Sequence, residues 1–252
     1  MKKTIILSVF LACTYSVTAQ EKPAAEKAKE LYAAKDYEKA YSMMEKASPE
    51  EKKTAAYWIF LAKINFRLED TDEGIDNLYS ALKIKSDEPE VYLELVKALA
   101  STEKNKGAFE LCEKALKKFP TSKDLRIQKA LLYPKFAKSW EGIKLIESMK
   151  EEFPNDSSIL NAEAYIYTIL GDLEKAEMSL RWAVSADKSN MVLKRNLGLI
   201  LEKLGDRKLK EKDKARAKEY YTESVKELNA PASKEKKITD LIEKIQKKAD
   251  AL

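Results

Sequence analysis

Few side chains in this sequence could support covalent chemistry. Cys112 could act as a nucleophile, and the adjacent carboxylates Asp87-Glu88 and Glu151-Glu152 could act as acid and base. The chain of 252 residues contains no histidine, which excludes Ser-His-Asp and Cys-His catalysis and most zinc sites. Its six glycines never cluster, so neither a P-loop nor a dinucleotide fingerprint can be drawn. We therefore predict no enzymatic activity, no metal site and no cofactor.

The elements that would position these groups are helices. With 35% charged residues, 6 Gly and 7 Pro, the composition favours a helical chain with few long loops, and 44% hydrophobic residues can form a buried core. The formal net charge is +5, and Lys2 and Lys3 of the first twenty residues contribute to it. Because the remaining charges are nearly balanced, we expect no nucleic-acid partner.

Small side chains recur every 34 residues along most of the chain. The three columns are Ala28, Ala62, Val96, Ala130, Ala164 and Gly198; Ala40, Gly74, Ala108, Gly142 and Ala176; and Ala47, Ala81, Ala115, Met149 and Ala183. Two helices pack closely only where small side chains let their backbones approach each other. Larger apolar residues lie between the columns, and Cys112 is one of them, so we expect its thiol to be buried in packing.

The signals that end helices follow the same period. Lys35-Asp36-Tyr37, Glu69-Asp70-Thr71 and Gly171-Asp172-Leu173 are typical of turns within a repeat, and glycine suits the left-handed end of a helix. Phe119-Pro120 and Phe153-Pro154 mark the ends of two repeats, because proline blocks helix continuation.

These features resemble the tetratricopeptide repeat family, most clearly at Trp58-x-x-Leu61-Ala62 and at Gly171-Asp172-Leu173-Glu174-Lys175-Ala176. The resemblance covers residues 21–230 and implies an all-α, right-handed superhelical solenoid of about six helix-turn-helix repeats. The repeats are expected near 21–54, 55–88, 89–122, 123–156, 157–190 and 191–230.

The last repeat departs from the pattern. Its second helix is displaced by about seven residues, so that Ala217 and Tyr221 take the usual packing positions. Residues 231–252 carry the amphipathic stripe of a C-terminal capping helix, which a solenoid needs to cover its last apolar face. The stripe consists of Ile238, Leu241, Ile242 and Ile245.

The beginning of the chain, residues 1–20, is typical of a secretory signal peptide, with lysines, an apolar run and Val17-Thr18-Ala19 before the expected cut. We therefore expect an exported protein, periplasmic or associated with the outer membrane, of a Bacteroidetes-like bacterium. Leu11-Ala12-Cys13 resembles a lipobox, so lipidation of Cys13 is the alternative. No later stretch approaches the ~20 apolar residues of a transmembrane helix.

The family resemblance also implies a binding surface, since the first helices of successive repeats line a concave groove that takes a peptide or a helix. The inward column is Lys29, Lys63, Lys97, Leu131, Tyr165 and Leu199. The partner-binding residues that we predict are Lys29, Tyr32, Lys63, Phe66, Arg67, Lys97, Asn161 and Tyr165. The lysines in this set favour an acidic protein or peptide as the partner. The alternative is that they are only the ordinary charged residues of a solvent-exposed helix face.

The family's clamp for chaperone tails is absent from the corresponding positions, so we expect no binding of such tails. Those positions hold Ala25, Lys29, Phe60, Glu90 and Glu94.

Two further features of the sequence bear on partners. The run Lys203–Lys218 holds eight basic and three acidic residues, which indicates either a solvated helix or a peripheral contact with anionic lipid or an acidic partner. The three tryptophans, Trp58, Trp140 and Trp182, fall where the repeat is expected to bury or half-bury them.

Taken together, these features favour a non-enzymatic scaffold or adaptor of the bacterial cell envelope that binds other proteins. One alternative is a lipid-anchored accessory subunit of a secretion or cell-wall assembly machine. Another is an enzyme with an unrecognised site.

Overall fold

The computed structural model describes residues 23–85, 87–229 and 236–252. The predicted signal peptide, Cys13 included, lies outside these residues. The helices are α1 (Ala24–Ala33), α2 (Tyr37–Glu45), α3 (Pro49–Lys52), α4 (Ala55–Arg67), α5 (Thr71–Ile84), α6 (Pro89–Ser101), α7 (Asn105–Lys118), α8 (Lys123–Leu132), α9 (Ser139–Glu152), α10 (Ser157–Leu170), α11 (Leu173–Ala186), α12 (Met191–Lys210), α13 (Lys214–Leu228) and α14 (Lys236–Asp250). A 3-10 turn, Tyr133–Phe136, follows α8.

Twelve of these helices form six antiparallel hairpins, numbered here as repeats one to six. The hairpins are α1–α2, α4–α5, α6–α7, α8–α9, α10–α11 and α12–α13, and α14 packs on α13. We call the two members of each hairpin its first and second helix. The predicted fold class, an all-α solenoid of about six repeats with a C-terminal capping helix, is confirmed. None of the described helices is long and apolar enough to cross a membrane.

The small-residue columns lie where the helices touch. Fully buried members are Ala28, Ala40, Ala62, Ala81, Ala108, Ala115, Ala130, Ala176 and Ala183. In repeat four the two backbones nearly touch, since a Cβ built on Gly142 would lie 2.7 Å from the carbonyl oxygen of Ala130. The small residues of the columns are therefore buried between helices, as the 34-residue period predicted, and in repeat four they let the two backbones approach closely.

Each turn within a repeat has the same backbone conformation at one position. One residue adopts a left-handed conformation, and in four repeats the aspartate that follows it caps the second helix. The left-handed residues are Lys35, Glu69, Glu103, Ala137, Gly171 and Lys212. Gly171, with φ of 81°, is the one for which this conformation carries no steric cost.

Replacing Glu103 by glycine is expected to stabilise the protein. Glu103 has φ of 59°, where its Cβ crowds the backbone, and its side chain is exposed. Relief of this strain should exceed the added chain entropy, giving a gain of about 0.5–1 kcal/mol in the free energy of unfolding. Urea unfolding followed by circular dichroism measures it. The matched change Gly171→Ala should lose stability, and a gain there would contradict the strain argument.

Polar contacts about one period apart tie neighbouring repeats together. Lys104 Nζ lies 2.9 Å from Asp72 Oδ1, and Lys123 Nζ lies 2.7 Å from Asp156 Oδ2. Burial alone would raise the pKa of Asp156, but the hydrogen bonds from Lys123 and from backbone amides outweigh it and hold the pKa below its usual value. The repeats are thus joined along their length by ion pairs as well as by apolar packing.

The sixth repeat has the displaced second helix that the sequence predicted. Helix α12 has 20 residues, α13 begins only at Lys214, and Ala217 and Tyr221 are completely buried. The capping helix adds Lys248, whose Nζ lies 3.0 Å from Glu202 Oε1 and 2.7 Å from Asp206 Oδ1. These ion pairs fasten α14 to the end of the solenoid.

The prediction for two of the three tryptophans was wrong. Trp58 is half-buried, but Trp140 and Trp182 are 57% and 52% exposed. In the other four of the first five repeats the positions equivalent to Trp182 hold Lys or Ser, and those equivalent to Trp140 hold Glu, Asp or Lys, as expected for the outer face of a second helix. Both indoles therefore lie on the solvent side of their helices.

Candidate functional site

The first helices of repeats three to six enclose a groove. Its larger cavity, of about 550 Å³, is lined mainly by α6, α8, α10 and α12. A second cavity of about 420 Å³ adjoins it and shares four of its lining residues, Gln128, Leu131, Asn161 and Ala162. We call the two cavities together the central groove. Its size suits a short stretch of polypeptide.

The floor of the central groove is apolar. Leu131 and Leu199 are half-buried, and Ala162 and Ala164, both 2% exposed and members of the hydrophobic core, also line the cavity. Small side chains at these two positions keep the floor deep, while the leucines offer apolar surface that an incoming side chain could cover. The ring of Tyr165 is 43% exposed beside this floor.

Two asparagines bridge neighbouring repeats across the groove. Asn196 Nδ2 donates a hydrogen bond of 2.8 Å to Asn161 Oδ1. This contact fixes both amides and leaves the Asn161 N–H groups and the Asn196 carbonyl oxygen to bond a ligand. A donor and an acceptor held in this way match the amide groups of an extended peptide backbone.

The rim of the larger cavity is positively charged. Lys135 and Lys203 line it, and its described lining residues include no Asp or Glu. Both lysines are exposed, and neither pairs with a carboxylate in the part of the chain that the structure describes. At the other end of the groove, Asp124 lines the smaller cavity and Lys97 pairs with Glu94 at 3.2 Å. The electrostatic attraction for an anion is therefore concentrated beside Lys135 and Lys203.

The structure brings together part of the predicted binding set. Asn161 and Tyr165 lie in the larger cavity with Leu131, and Lys97 lines the adjoining one. Thr168 also lines the larger cavity, where its Oγ1 donates to the carbonyl oxygen of Ala164 at 2.8 Å.

The other five predicted residues lie at the amino-terminal end, outside this groove. Arg67 Nε donates a 3.0 Å hydrogen bond to Tyr32 Oη. Phe66 packs over Gly74 within its own repeat, so its ring serves the hairpin's core. Lys29 and Lys63 are exposed and have no carboxylate partner among the described residues.

Five polar residues that line the larger cavity were not predicted: Ser101, Gln128, Lys135, Asn196 and Lys203. A signal for two of them was present, because Arg67, Lys135 and Lys203 are spaced 68 residues apart, each one helical turn after the inward column. Gln128 and Asn196 share another column, in which Ala162 stands between them. The prediction used one column of equivalent positions on the inward face of the first helices. It did not consider the neighbouring columns on that same face.

Cys112 has the environment of a structural thiol. It is completely buried, and its Sγ donates to the carbonyl oxygen of Leu125 at 3.3 Å. Burial raises the pKa of the thiol to about 12, so the reactive thiolate is scarce at neutral pH. The described residues also contain no group of three or more His, Cys, Asp or Glu side chains that could hold a metal ion.

Comparison with known proteins identifies repeats of the same kind. A family model described as "Psidin, N-terminal TPR repeats region" matches residues 96–223, about half of the chain. No curated protein sequence matches significantly.

Several solved structures share the fold. PilW, described as a widely conserved type IV pilus biogenesis factor, gives a TM-score of 0.62 at 18% identity, covering 87% of this chain and 96% of PilW. A thermophilic TPR protein of Thermus thermophilus gives 0.59 at 17% identity, covering 71% and 97%. A tetratricopeptide repeat protein from Parabacteroides merdae gives 0.57 at 14% identity, covering 88% and 97%. At such identities the likeness concerns the fold alone.

Proposed function

The chain belongs to the tetratricopeptide repeat family, and from that premise we propose that it is a non-enzymatic scaffold that holds another protein in the central groove. The observation that carries this proposal is the groove's composition: an apolar floor at Leu131 and Leu199, a bridged pair of asparagines, and two unpaired lysines at one rim. Apolar floors supply most of the binding energy of such sites, and fixed polar groups orient the ligand.

The partner that fits this groove is an extended segment with an apolar side chain and an acidic side chain near it. The apolar side chain would cover Leu131 and Leu199, the backbone would bond Asn161 and Asn196, and the carboxylate would lie near Lys203. Because the lysines are exposed, their attraction should raise the association rate and depend on salt. The predicted amino-terminal lysines would extend the same attraction along the solenoid.

We further propose that the scaffold works in the cell envelope after export. The lysines, the apolar run and the Val17-Thr18-Ala19 site support this location. The intact mass of the protein recovered from the envelope fraction tests it. A chain that starts at Gln20 supports plain export, a lipid on Cys13 supports the lipid-anchored alternative, and an uncut chain in the cytoplasm contradicts both.

Site-specific photocrosslinking tests the groove. A benzoylphenylalanine placed at Tyr165, which is 43% exposed inside the groove, should give a discrete adduct in intact cells. The matched control is Tyr79, which is 41% exposed but lies on the second helix α5. An adduct from position 79 alone, or equal adducts from both positions, would contradict the proposal.

A further inference from the structure

The sixth repeat projects beyond its neighbours. Helix α12 has 20 residues, whereas the first helix of repeat five, α10, has 14. The additional turns extend the hairpin by about 9 Å at the rise of an α-helix. Arg207 still reaches repeat five, where its Nη2 lies 2.8 Å from Glu174 Oε2. We call residues 208–216, which follow this contact, the projecting tip.

The projecting tip carries lysines without counterions. Its two acids are already engaged, Glu211 with Lys208 at 2.7 Å and Asp213 with Arg216 at 3.7 Å. The other three lysines, Lys210, Lys212 and Lys214, are exposed, and none of them pairs with a carboxylate in the described parts of the chain. The tip therefore exposes three unpaired lysines within five residues of sequence, and its net charge is positive.

Apolar side chains are also exposed near the turns within repeats four to six. Leu209 is 38% exposed on the tip, and Phe136 and Trp140 are 39% and 57% exposed at the turn of repeat four. Ile169, 47% exposed at the turn of repeat five, lies between them in the chain. Large exposed apolar groups mark contact surfaces, and these four lie near three successive turns.

We infer that repeats four to six rest tilted on an anionic membrane surface, so that both the projecting tip and the set-back Trp140 reach the lipid headgroups. Indole rings favour the boundary between headgroups and acyl chains, and lysines are attracted by the negative surface potential of anionic lipids. Leu209 beside the lysines would enter the same boundary.

The kind of cation favours lipid over an acidic protein. Defined carboxylate sites in proteins favour arginine, whose planar fork binds both oxygens, whereas flexible lysines suit diffuse, mobile charge. The one arginine of the tip, Arg216, is already paired internally with Asp213. The contact is peripheral and leaves the central groove open to a protein partner. Membrane binding by the tip and protein binding in the groove can therefore be contradicted independently.

Sedimentation with lipid vesicles tests the charge requirement. The protein should bind vesicles of phosphatidylcholine mixed with phosphatidylglycerol and should be released by salt. Replacing Lys210, Lys212 and Lys214 by glutamine should weaken the partition coefficient on the order of 100-fold, because each lysine contributes roughly fivefold. The matched control replaces three exposed lysines of second helices, Lys83→Gln, Lys114→Gln and Lys117→Gln, and should bind as the original protein does.

Tryptophan fluorescence tests the orientation. A vesicle-induced blue shift should disappear in Trp140→Phe and persist in Trp182→Phe, whose indole is similarly exposed but lies on the outer face of α11. The inference is overturned by equal binding to neutral vesicles, by equal losses in the tip and control variants, or by a blue shift that survives Trp140→Phe. Tighter binding to soluble polyglutamate than to anionic vesicles would also overturn it, because it would assign the tip to an acidic protein.

Discussion

Alanine at position 142 is expected to destabilise the protein by about 2 kcal/mol, although alanine normally stabilises a helix relative to glycine. The added Cβ would lie 2.7 Å from the carbonyl oxygen of Ala130 and 3.0 Å from Cδ1 of Ile166. The isoleucine can rotate away, but a backbone oxygen can retreat only if α8 and α9 separate. The cost is therefore that of overpacking at a point where two helices touch.

Gly107 provides the matched control, because a Cβ there would meet nothing within 4 Å. Gly107→Ala is expected to stabilise α7 by roughly 0.5–1 kcal/mol. Urea unfolding of both variants, with the denaturant dependence compared to check that the same transition is observed, measures the two changes. If Gly142→Ala were as stable as Gly107→Ala, close backbone packing would not be what selects small residues every 34 positions.

Reversing the charges of Lys135 and Lys203 together is expected to lower the affinity for the groove partner at least tenfold. The two side chains line one rim of the larger cavity and no acidic residue lines it with them, so glutamates there would repel an acidic ligand. Isothermal titration calorimetry or surface plasmon resonance with the crosslinked partner's segment measures the change. The loss should shrink as salt is raised, since exposed charges are screened.

The control for that experiment reverses Lys83 and Lys117, which are exposed on second helices away from the groove. It changes the net charge by the same amount and should leave affinity unchanged. Equal losses in the two double variants would show that the overall charge, and not the rim of the groove, attracts the partner.

The fold was predictable because its 34-residue period recurs at helix contacts, where the side chain must be small. Ala130 and Gly142 belong to different columns, and their backbones touch because neither side chain intervenes. The longer sixth hairpin was predictable for the same reason, since Ala217 and Tyr221 keep the helical phase. A two-turn extension preserves the buried face of a helix, so the pattern survives it.

The turns were only partly predictable. A glycine signals the left-handed residue in repeat five, but Glu103 and Lys212 adopt the same conformation without any such signal. Packing of the two helices fixes the connection there, and it overrides the preference of the individual residue.

The groove was harder to predict than the fold. Asn161 and Tyr165 were identified, but the amino-terminal set lies outside the groove, where Arg67 donates to the phenol of Tyr32 and Phe66 packs over Gly74. Equivalent positions in successive repeats indicate the direction in which a side chain points. They do not indicate how deep the cavity beside it is. Depth depends on the neighbouring repeats, because the small residues Ala162 and Ala164 open a cavity in repeat five.

Hydrogen exchange of the protein, with and without the partner captured through position 165, shows which helices that partner covers. If the partner binds in the central groove, it should slow exchange in the first helices α8, α10 and α12 and leave exchange in the second helices α9 and α11 unchanged. Slower exchange confined to α9 and α11 would place the partner on the outer face and contradict binding in the central groove.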